Sequence, residues 1–468
     1  MTIILKSIKF IAHLPLSVFF FLREKISYAN RSFCVCFFAA LSLLLAANFI
    51  FQTPQAQAAF NESMAIDTKA ISLANTVTAD PPGTGSIHYN PAGLSLMGDG
   101  AYITMGLIPV HIKKTGTFSA DTNHVGFHDF QGDKIEDPLA GKETEMSSPQ
   151  MFVPLLNDTT DMLLGPIFGL SYRKPGSRWT FGYTTYAQYG GGWKYGDDDP
   201  SAFGGKSVYV QHLIYGAPAI SYRVNNNLSF GATFAIGQSV MGVKMDARAP
   251  NEIVNITKIL GDATKDMSNP IFDVTVPLPL FGGGMGPYDY IGTLEFNIRD
   301  DFSPSYILGA LWEPWDWLSL GLCYQSAIKS HMSGRYTWTY SEDWQKMVAW
   351  SGSTAVMQIA SMIFDLPYNV EAKQSGTVTA NLEFPQIVNF GIKVTPIKRL
   401  SLLAELHWAE WSSIQEDNLR FDQKIQLLQM AKFMGYTEGD YNVKMTRKFK
   451  DTLNWGVGIE FQALDWLQ

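Results

Sequence analysis

Few residues in this 468-residue sequence are spaced for bond-making chemistry. His124 and His128 stand four apart, a spacing that on a helix presents two imidazoles to zinc. They lie in a Gly- and Asp-rich stretch without a third ligand pattern, so no metal is expected. Asp197-Asp198-Asp199 offers oxygens of the kind calcium takes, but a solvated acidic loop is the simpler reading. No G-x-S-x-G elbow and no phosphate-binding glycine loop occurs. No catalytic residue or cofactor is assigned, and the chain does not read as an enzyme. The residues that do form a pattern are apolar. Trp344, Met347, Val348, Ala355, Ile359, Met362 and Ile363 recur near i, i+3, i+4 spacing, so a helix over 342–365 would carry an apolar stripe. Such a stripe either packs its loop onto what lies beneath or holds hydrocarbon, and methionine adapts to varied shapes. Trp344, Met347, Val348, Ile359 and Met362 are therefore the candidate ligand-binding residues. A carboxylate on the ligand would want a cation. Lys69, Lys113, Arg173 and Arg223 are available, and nothing in their spacing chooses among them.

The elements that must position these residues read as strands. Trp179, Phe181 and Tyr183 alternate with Thr180 and Gly182. Leu228, Phe230, Ala232, Phe234 and Ile236 alternate with small or polar residues, and so do Leu318, Leu320, Leu322 and Tyr324, and Trp455, Val457, Ile459 and Phe461. A period of two over eight to ten residues means strands with one apolar face. That face is either the core of a soluble sandwich or the lipid side of an outer-membrane barrel. Length favours the barrel, because a spanning strand needs about 9–11 residues and a soluble strand has about 5–6. The stretches 227–237, 304–313, 317–326, 399–409 and 452–462 are of the longer kind. Short turns recur before Leu-Ser-Phe230, Leu-Ser-Leu320 and Leu-Ser-Leu402, whereas 111–164, 242–288 and 341–375 read as long loops. Trp312, Trp315, Trp317, Trp408 and Trp411 fall near strand ends, where an interfacial girdle would place them.

Composition agrees. Charged residues make up 17% and aromatics 13%, with 40 glycines and a formal charge of −8. That is too apolar for disorder and not basic enough for a nucleic-acid face. At the N-terminus, Lys6, Lys9, Arg23, Lys25 and Arg31 precede an uncharged run from Phe33 to Phe51, then Ala56-Gln57-Ala58. Basic, apolar and small residues in that order predict a secretory signal peptide over 1–58. Its removal would take Cys34 and Cys36 with it and leave Cys323, as suits an oxidising envelope.

Residues 59–100 follow, rich in small residues and turn formers, and do not read as a lipid-facing strand. They include Tyr89-Asn90-Pro91-Ala92-Gly93-Leu94. This run resembles the signature of the FadL/TodX outer-membrane transporters of hydrophobic compounds. Leu406-His-Trp-Ala-Glu-Trp-Ser-Ser413 is similar to the family's late Trp-(Ser/Thr)-x-Trp-Ser strand end, and Asp451-Thr-Leu-Asn-Trp-Gly-Val-Gly-Ile-Glu460 to a later strand.

The resemblance implies an all-β protein: an antiparallel transmembrane β-barrel of 14 strands plugged by an N-terminal hatch. Residues 59–100 would be the hatch, closed by Asn90, Pro91, Ala92 and Gly93, and 101–468 the barrel with its extracellular loops. It also implies capture of fatty acids or aromatic hydrocarbons in an outer apolar groove, passage past the hatch and exit through the barrel wall. By the strand count, two or three closing strands are missing at the C-terminus, as in a truncated gene product. Uptake of long-chain fatty acids into a Gram-negative cell by a monomer in outer-membrane lipid is the expectation. An aromatic-hydrocarbon transporter, a porin-like or structural barrel, and a secreted soluble β protein are the alternatives.

Overall fold

The computed structural model describes residues 66–463 apart from 120–125, 148–150, 154–157, 161–162, 269–274, 434 and 436–438. The predicted signal peptide and His124 lie outside the described residues. The chain divides into two compact units. The larger comprises Ala58–Lys393 and Leu403–Gly458; the smaller includes Val394–Leu402 and Ile459–Gln468. Within the smaller unit, the Gln462 amide donates to the Arg399 carbonyl at 2.9 Å.

Long antiparallel strands dominate. They are β1 (Gly100–Val110), β2 (Leu163–Arg173), β3 (Trp179–Tyr195), β4 (Ser207–Arg223), β5 (Leu228–Ala247), β6 (Gly292–Trp315) and β7 (Leu318–Gln325). They continue as β8 (Ile328–Tyr340), β9 (Lys373–Phe384), β10 (Ile387–Ile397), β11 (Leu400–Ala409), β12 (Glu416–Phe421), β13 (Asn442–Thr446) and β14 (Thr452–Phe461). One ladder path runs β1-β2-β3-β4-β5-β6-β7-β10-β11-β14, and a second leaves β6 through β8, β9, β12 and β13. No ladder joins β1 to β14 among the described residues. No helix among them is long and apolar enough to cross a membrane.

The two paths arise because the strands after β5 are broken at one level. β6 carries an irregularity at Asp300–Ser303, and breaks follow between β7 and β8, β9 and β10, β11 and β12, and β13 and β14. The break inserts one extra residue in β6, in β7/β8 and in β9/β10. An odd insertion sends every later side chain to the other face. On the turn side of the break Tyr306, Leu308 and Trp312 point outward and are half exposed, while on the loop side Leu294, Phe296 and Ile298 point inward and are buried. All six positions are even-numbered. The same holds for Leu322 outside against Met332, Tyr336 and Trp338 inside, and for Phe390 outside against Val378 and Ala380 inside. The sheet therefore shows an apolar exterior on its turn-side half. On its loop-side half it has a polar exterior, with Glu295, Asn297 and Arg299 exposed, over an apolar interior.

The strands are also longer than the sequence stretches predicted. β5 covers 20 residues and β6 covers 24, so part of what read as loop continues the sheet beyond the apolar band.

Residues 66–97 pack against the inward face of the turn-side half. Helix α1 (Thr68–Ser72) starts at Asp67, whose side chain accepts from the Lys69 and Ala70 amides. Helix α2 (Ser86–Tyr89) and a 3₁₀ turn over Pro91–Leu96 follow, the latter capped by Asn90. Ile66, Ala70, Leu73, Val77, Ile87 and Leu94 are buried.

Four longer helices lie among the loops: α3 (Glu252–Thr264), α4 (Glu342–Ser351), α5 (Ala355–Phe364) and α6 (Gln426–Phe433). The single helix anticipated over 342–365 is two helices bent by 101°. Gly352 ends α4 where its α-carbon closes on the Tyr368 carbonyl, leaving no room for a side chain. Thr354 then caps α5 through the Met357 amide at 3.2 Å.

Candidate functional site

On the loop side, α3, α4, α5 and α6 enclose a cavity of about 290 Å³. Four aromatic side chains (Phe281, Trp344, Trp350 and Phe364) and four methionines (Met285, Met347, Met357 and Met430) line it, and no charged residue does. Local capping builds the walls. Ser341 accepts from the Trp344 amide at 3.2 Å, fixing the first turn of α4, and Asn251 accepts from the Ile253 amide at 2.8 Å to start α3. The Trp350 indole donates to the Pro277 carbonyl at 2.8 Å, so its ring lies against the cavity with its polar atom satisfied.

Charge clusters hold the loops from outside this cavity. Asp365, in the left-handed C-cap of α5, binds Lys424 at 2.7 Å and Lys432 of α6 at 3.2 Å, and both lysines also reach Asp440. The lysines hold the Asp365 carboxyl below its ordinary value. Arg248 forms a bidentate pair with Asp137 at 2.9 and 2.8 Å, beneath Phe118, Phe203 and Tyr288. It thereby ties three loops together.

Of the five candidate ligand residues, Trp344 and Met347 line the cavity. Val348 is buried in the packed core above the sheet. Ile359 and Met362 lie on the opposite face of α5, 59% and 58% exposed, beside exposed Ile363. The single stripe read over 342–365 thus splits three ways, because the bend re-aims the second half. Ile253, Phe281 and Met430 complete the cavity from distant loops, and no short-range pattern links them to α4. The candidate cations lie elsewhere. Lys69 pairs with Asp80, Lys113 with Glu145 and Arg173 with Asp99, and the Arg223 guanidinium donates to the Asn226 carbonyl. The acidic run serves its own loop: Asp199 caps the turn at Ser201 and accepts from Thr144, and Asp197 pairs with Lys206.

On the turn side, the Asn-Pro-Ala-Gly run is a structural pin. The Asn90 side-chain amide donates to the Thr78 carbonyl at 2.9 Å and to the Ala310 carbonyl of β6 at 3.0 Å, and its oxygen accepts from the Ala92 amide at 3.2 Å. Leaving such buried partners unpaired costs about 1–3 kcal/mol each. Gly231 of β5 and Gly309 of β6 stand opposite each other. A β-carbon on either would overlap residues 90–92, and one on Gly321 would overlap Thr78. Gly93 is as constrained, lying against the Pro81 ring. Polar bonds ring the segment: Thr233 donates to the Ile87 carbonyl, Ser221 to Ala92, Gln325 to His88, and Arg173 to Ser95. Burial pushes the His88 imidazole down to about 3, so it is neutral where Tyr186 meets its Nδ1 at 3.1 Å. Asp80 bridges Lys69 at 2.7 Å and Lys393 of β10 at 2.8 Å. Packing is looser beside residues 74–76, where a polar cavity of about 170 Å³ reaches Glu405 and His407 of β11.

An antiparallel sheet with an apolar exterior band, an inward-packed N-terminal segment and an apolar cavity under its loops has the architecture of a membrane-embedded β-barrel transporter. The chain belongs to the outer membrane protein transport protein family (OMPP1/FadL/TodX), whose family model matches residues 47–468. Solved structures share the fold. A Pseudomonas aeruginosa FadL homologue superposes with a TM-score of 0.58 at 16% identity, over 86% of this chain and 78% of that one. The Ralstonia pickettii toluene transporter TbuX gives 0.52 at 18% identity over 86% and 83%. The P. putida toluene transporter TodX gives 0.51 at 16% identity over 86% and 81%. No curated protein matches the sequence. The protein is thus a Gram-negative outer-membrane β-barrel of a family that transports hydrophobic compounds, and not an enzyme.

Proposed function

We propose that the protein takes up hydrophobic molecules by capturing their apolar part in the cavity among α3, α4, α5 and α6, and that residues 66–97 are the hatch controlling passage. The observation that carries this reading is an uncharged cavity of about 290 Å³ lined by aromatics and methionines on the loop side. An apolar cavity of about 150 Å³ already holds benzene, and larger ligands use about 300–1,000 Å³. A single-ring hydrocarbon therefore fits inside. A long acyl chain enters in part, with its carboxylate left in water. Each methylene buried contributes about 0.8 kcal/mol. Long-chain fatty acid remains the first substrate, and the aromatic lining supports aromatic hydrocarbon as the second. The hatch, packed on glycines and ringed with hydrogen bonds, speaks against an open porin. The protein acts as a monomer in outer-membrane lipid.

The test is Met347→Asp, which places a charge in the cavity. Uptake of hexadecanoate and of toluene should both fall at least about tenfold, since an unpaired buried charge costs several kcal/mol. Unchanged uptake of both would refute capture at this site. Loss of one alone names the substrate.

A further inference from the structure

The outer face of the loop-side half carries its charge in two states. Lys244 pairs with Glu295 and Lys329 with Glu383, each at 3.6 Å. Three exposed arginines on the same face are not neutralised in this way: Arg299 of β6, Arg335 of β8 and Arg420 of β12. Neither the Arg335 nor the Arg420 guanidinium forms an ion pair among the described residues. Arg299 lies 3.6 Å from Asp301, whose carboxylate also accepts from the Gln238 side-chain amide at 2.6 Å. Asp422, at the end of β12, accepts from the Thr377 amide at 2.8 Å.

The register brings these arginines together. Arg299 stands opposite Ser333, Ser333 opposite Thr379 and Thr379 opposite Arg420, so the four form one row across β6, β8, β9 and β12. Arg335 stands opposite Asn297 and Thr377, in the next row. Strands lie about 4.8 Å apart, so the backbones of Arg299 and Arg420 are about 14 Å apart with Arg335 between them. The exposed floor of the patch is Ser333, Thr377 and Thr379. Three guanidinium forks over hydroxyls suit phosphate, which arginine binds bidentately.

Its level on the sheet suggests which phosphate. Phe302, 59% exposed, is three residues from Arg299 along β6, and exposed Tyr306 and Leu308 follow. At about 3.3 Å per residue, Arg299 stands within about 10 Å of the first apolar ring along the strand, and less along the membrane normal because spanning strands tilt. The headgroup layer begins there and extends about 5–8 Å beyond the hydrocarbon. The patch also straddles a short ladder, since β9 meets β12 only at Val378↔Phe421, Thr379↔Arg420 and Ala380↔Leu419.

We propose that Arg299, Arg335 and Arg420 bind the phosphates of a phosphorylated glycolipid of the outer leaflet, with its acyl chains lying against the apolar band. Its sugar hydroxyls meet Ser333, Thr377 and Thr379. A phosphate held by Arg335 and Arg420 bridges β8 and β12 over β9, staples the short ladder from outside and fixes the depth of the protein in the membrane. The site is separate from the loop cavity and does not depend on the transport reading.

The test uses the full chain in non-ionic detergent. It is titrated with lipid A (a glucosamine-disaccharide lipid with two phosphates), with the same lipid stripped of its phosphates, and with inorganic phosphate. Native mass spectrometry counts bound lipid, and thermal unfolding gives the Tm. Lipid A should stay bound and raise the Tm by several degrees, and inorganic phosphate should leave the Tm unchanged. Loss of charge-assisted bonds should weaken the stripped lipid at least about tenfold, and the Arg335→Gln/Arg420→Gln double variant should weaken lipid A to the same extent. Lys329→Gln, which removes only an exposed pair, should change lipid A affinity by less than about twofold. Absence of bound lipid A overturns the proposal, and so does equal binding of the two lipids, because acyl chains alone then explain it. A Tm rise with inorganic phosphate equal to that with lipid A overturns it as well, because the patch then takes any phosphate. A loss with Lys329→Gln as large as with the double variant shows general charge attraction and removes the role of the arginines. The lipid comparison uses the unaltered protein, so it does not depend on the variants folding.

Discussion

The turn-side and loop-side halves of the sheet use the same residue types in opposite ways. On the turn side Phe230, Phe234, Tyr306 and Leu308 face out and the inward positions are Gly231, Thr233 and Gly309. On the loop side Met241, Met332, Tyr336 and Trp338 face in. The solvent explains the difference. Lipid surrounds the first half, so apolar residues go outside and the inward positions are free to be small, seating a polar hatch backbone. Water surrounds the second, so its apolar residues form an ordinary core, and an incompletely filled core between loops is a site for a hydrophobic solute. In the proposed reading, sealing and capture are divided between the halves, and the belt of strand breaks is the boundary. His212, Ser239, Ser330 and Ser303 mark that belt with a chain of buried hydrogen bonds.

This division is broken most severely by Gly309→Val. Its β-carbon alone would overlap the Asn90 side chain and the Pro91 ring. Overpacking a filled site costs about 1–3 kcal/mol or more. We expect residues 66–97 to be displaced and ion conductance to rise strongly, while solute binding among α3 to α6 is retained. Low conductance in a correctly inserted variant would mean that the glycine seat is not needed for sealing.

A smaller effect is expected from pH. Burial opposes the charge on Asp80, but Lys393 and then Lys69 override it, and its pKa is lowered. A carboxyl whose folded pKa lies below its unfolded value stabilises fully above the unfolded value, about 4, and loses that stabilisation as pH falls through the lower folded value. Conductance should stay low from neutral pH down to about 4 and rise below it. Asp80→Asn should remove this acid-dependent rise. A rise centred near neutral pH would place the controlling group elsewhere.

Much of this architecture was legible in the sequence, and the breaks explain the rest. Alternation at Trp179, Phe181 and Tyr183 located strands with an apolar face, and those residues are exposed as expected. The alternation also keeps its phase from Leu294 to Trp312 across an interruption at Asp300, because an odd insertion changes the face without changing the spacing of apolar residues. Periodicity therefore could not show that Phe296 is core while Tyr306 meets lipid. The Asn90-Pro91 turn was readable as a turn, but its contact with Ala310 spans 220 positions and leaves no local signal. The apolar stripe after Glu342 pointed to Trp344 and Met347, while the Gly352 bend dispersed the rest. A glycine followed by Ser353 and the capping Thr354 was the available sign of that bend.

We propose that residues 66–97 seal a sheet whose loop side captures the solute. Conductance of the full chain and of a form lacking 66–97, in the same planar bilayer, tests it most directly. The full chain should be nearly non-conducting, and the deletion should show a large open conductance to polar ions. Equally low conductance in both would contradict it.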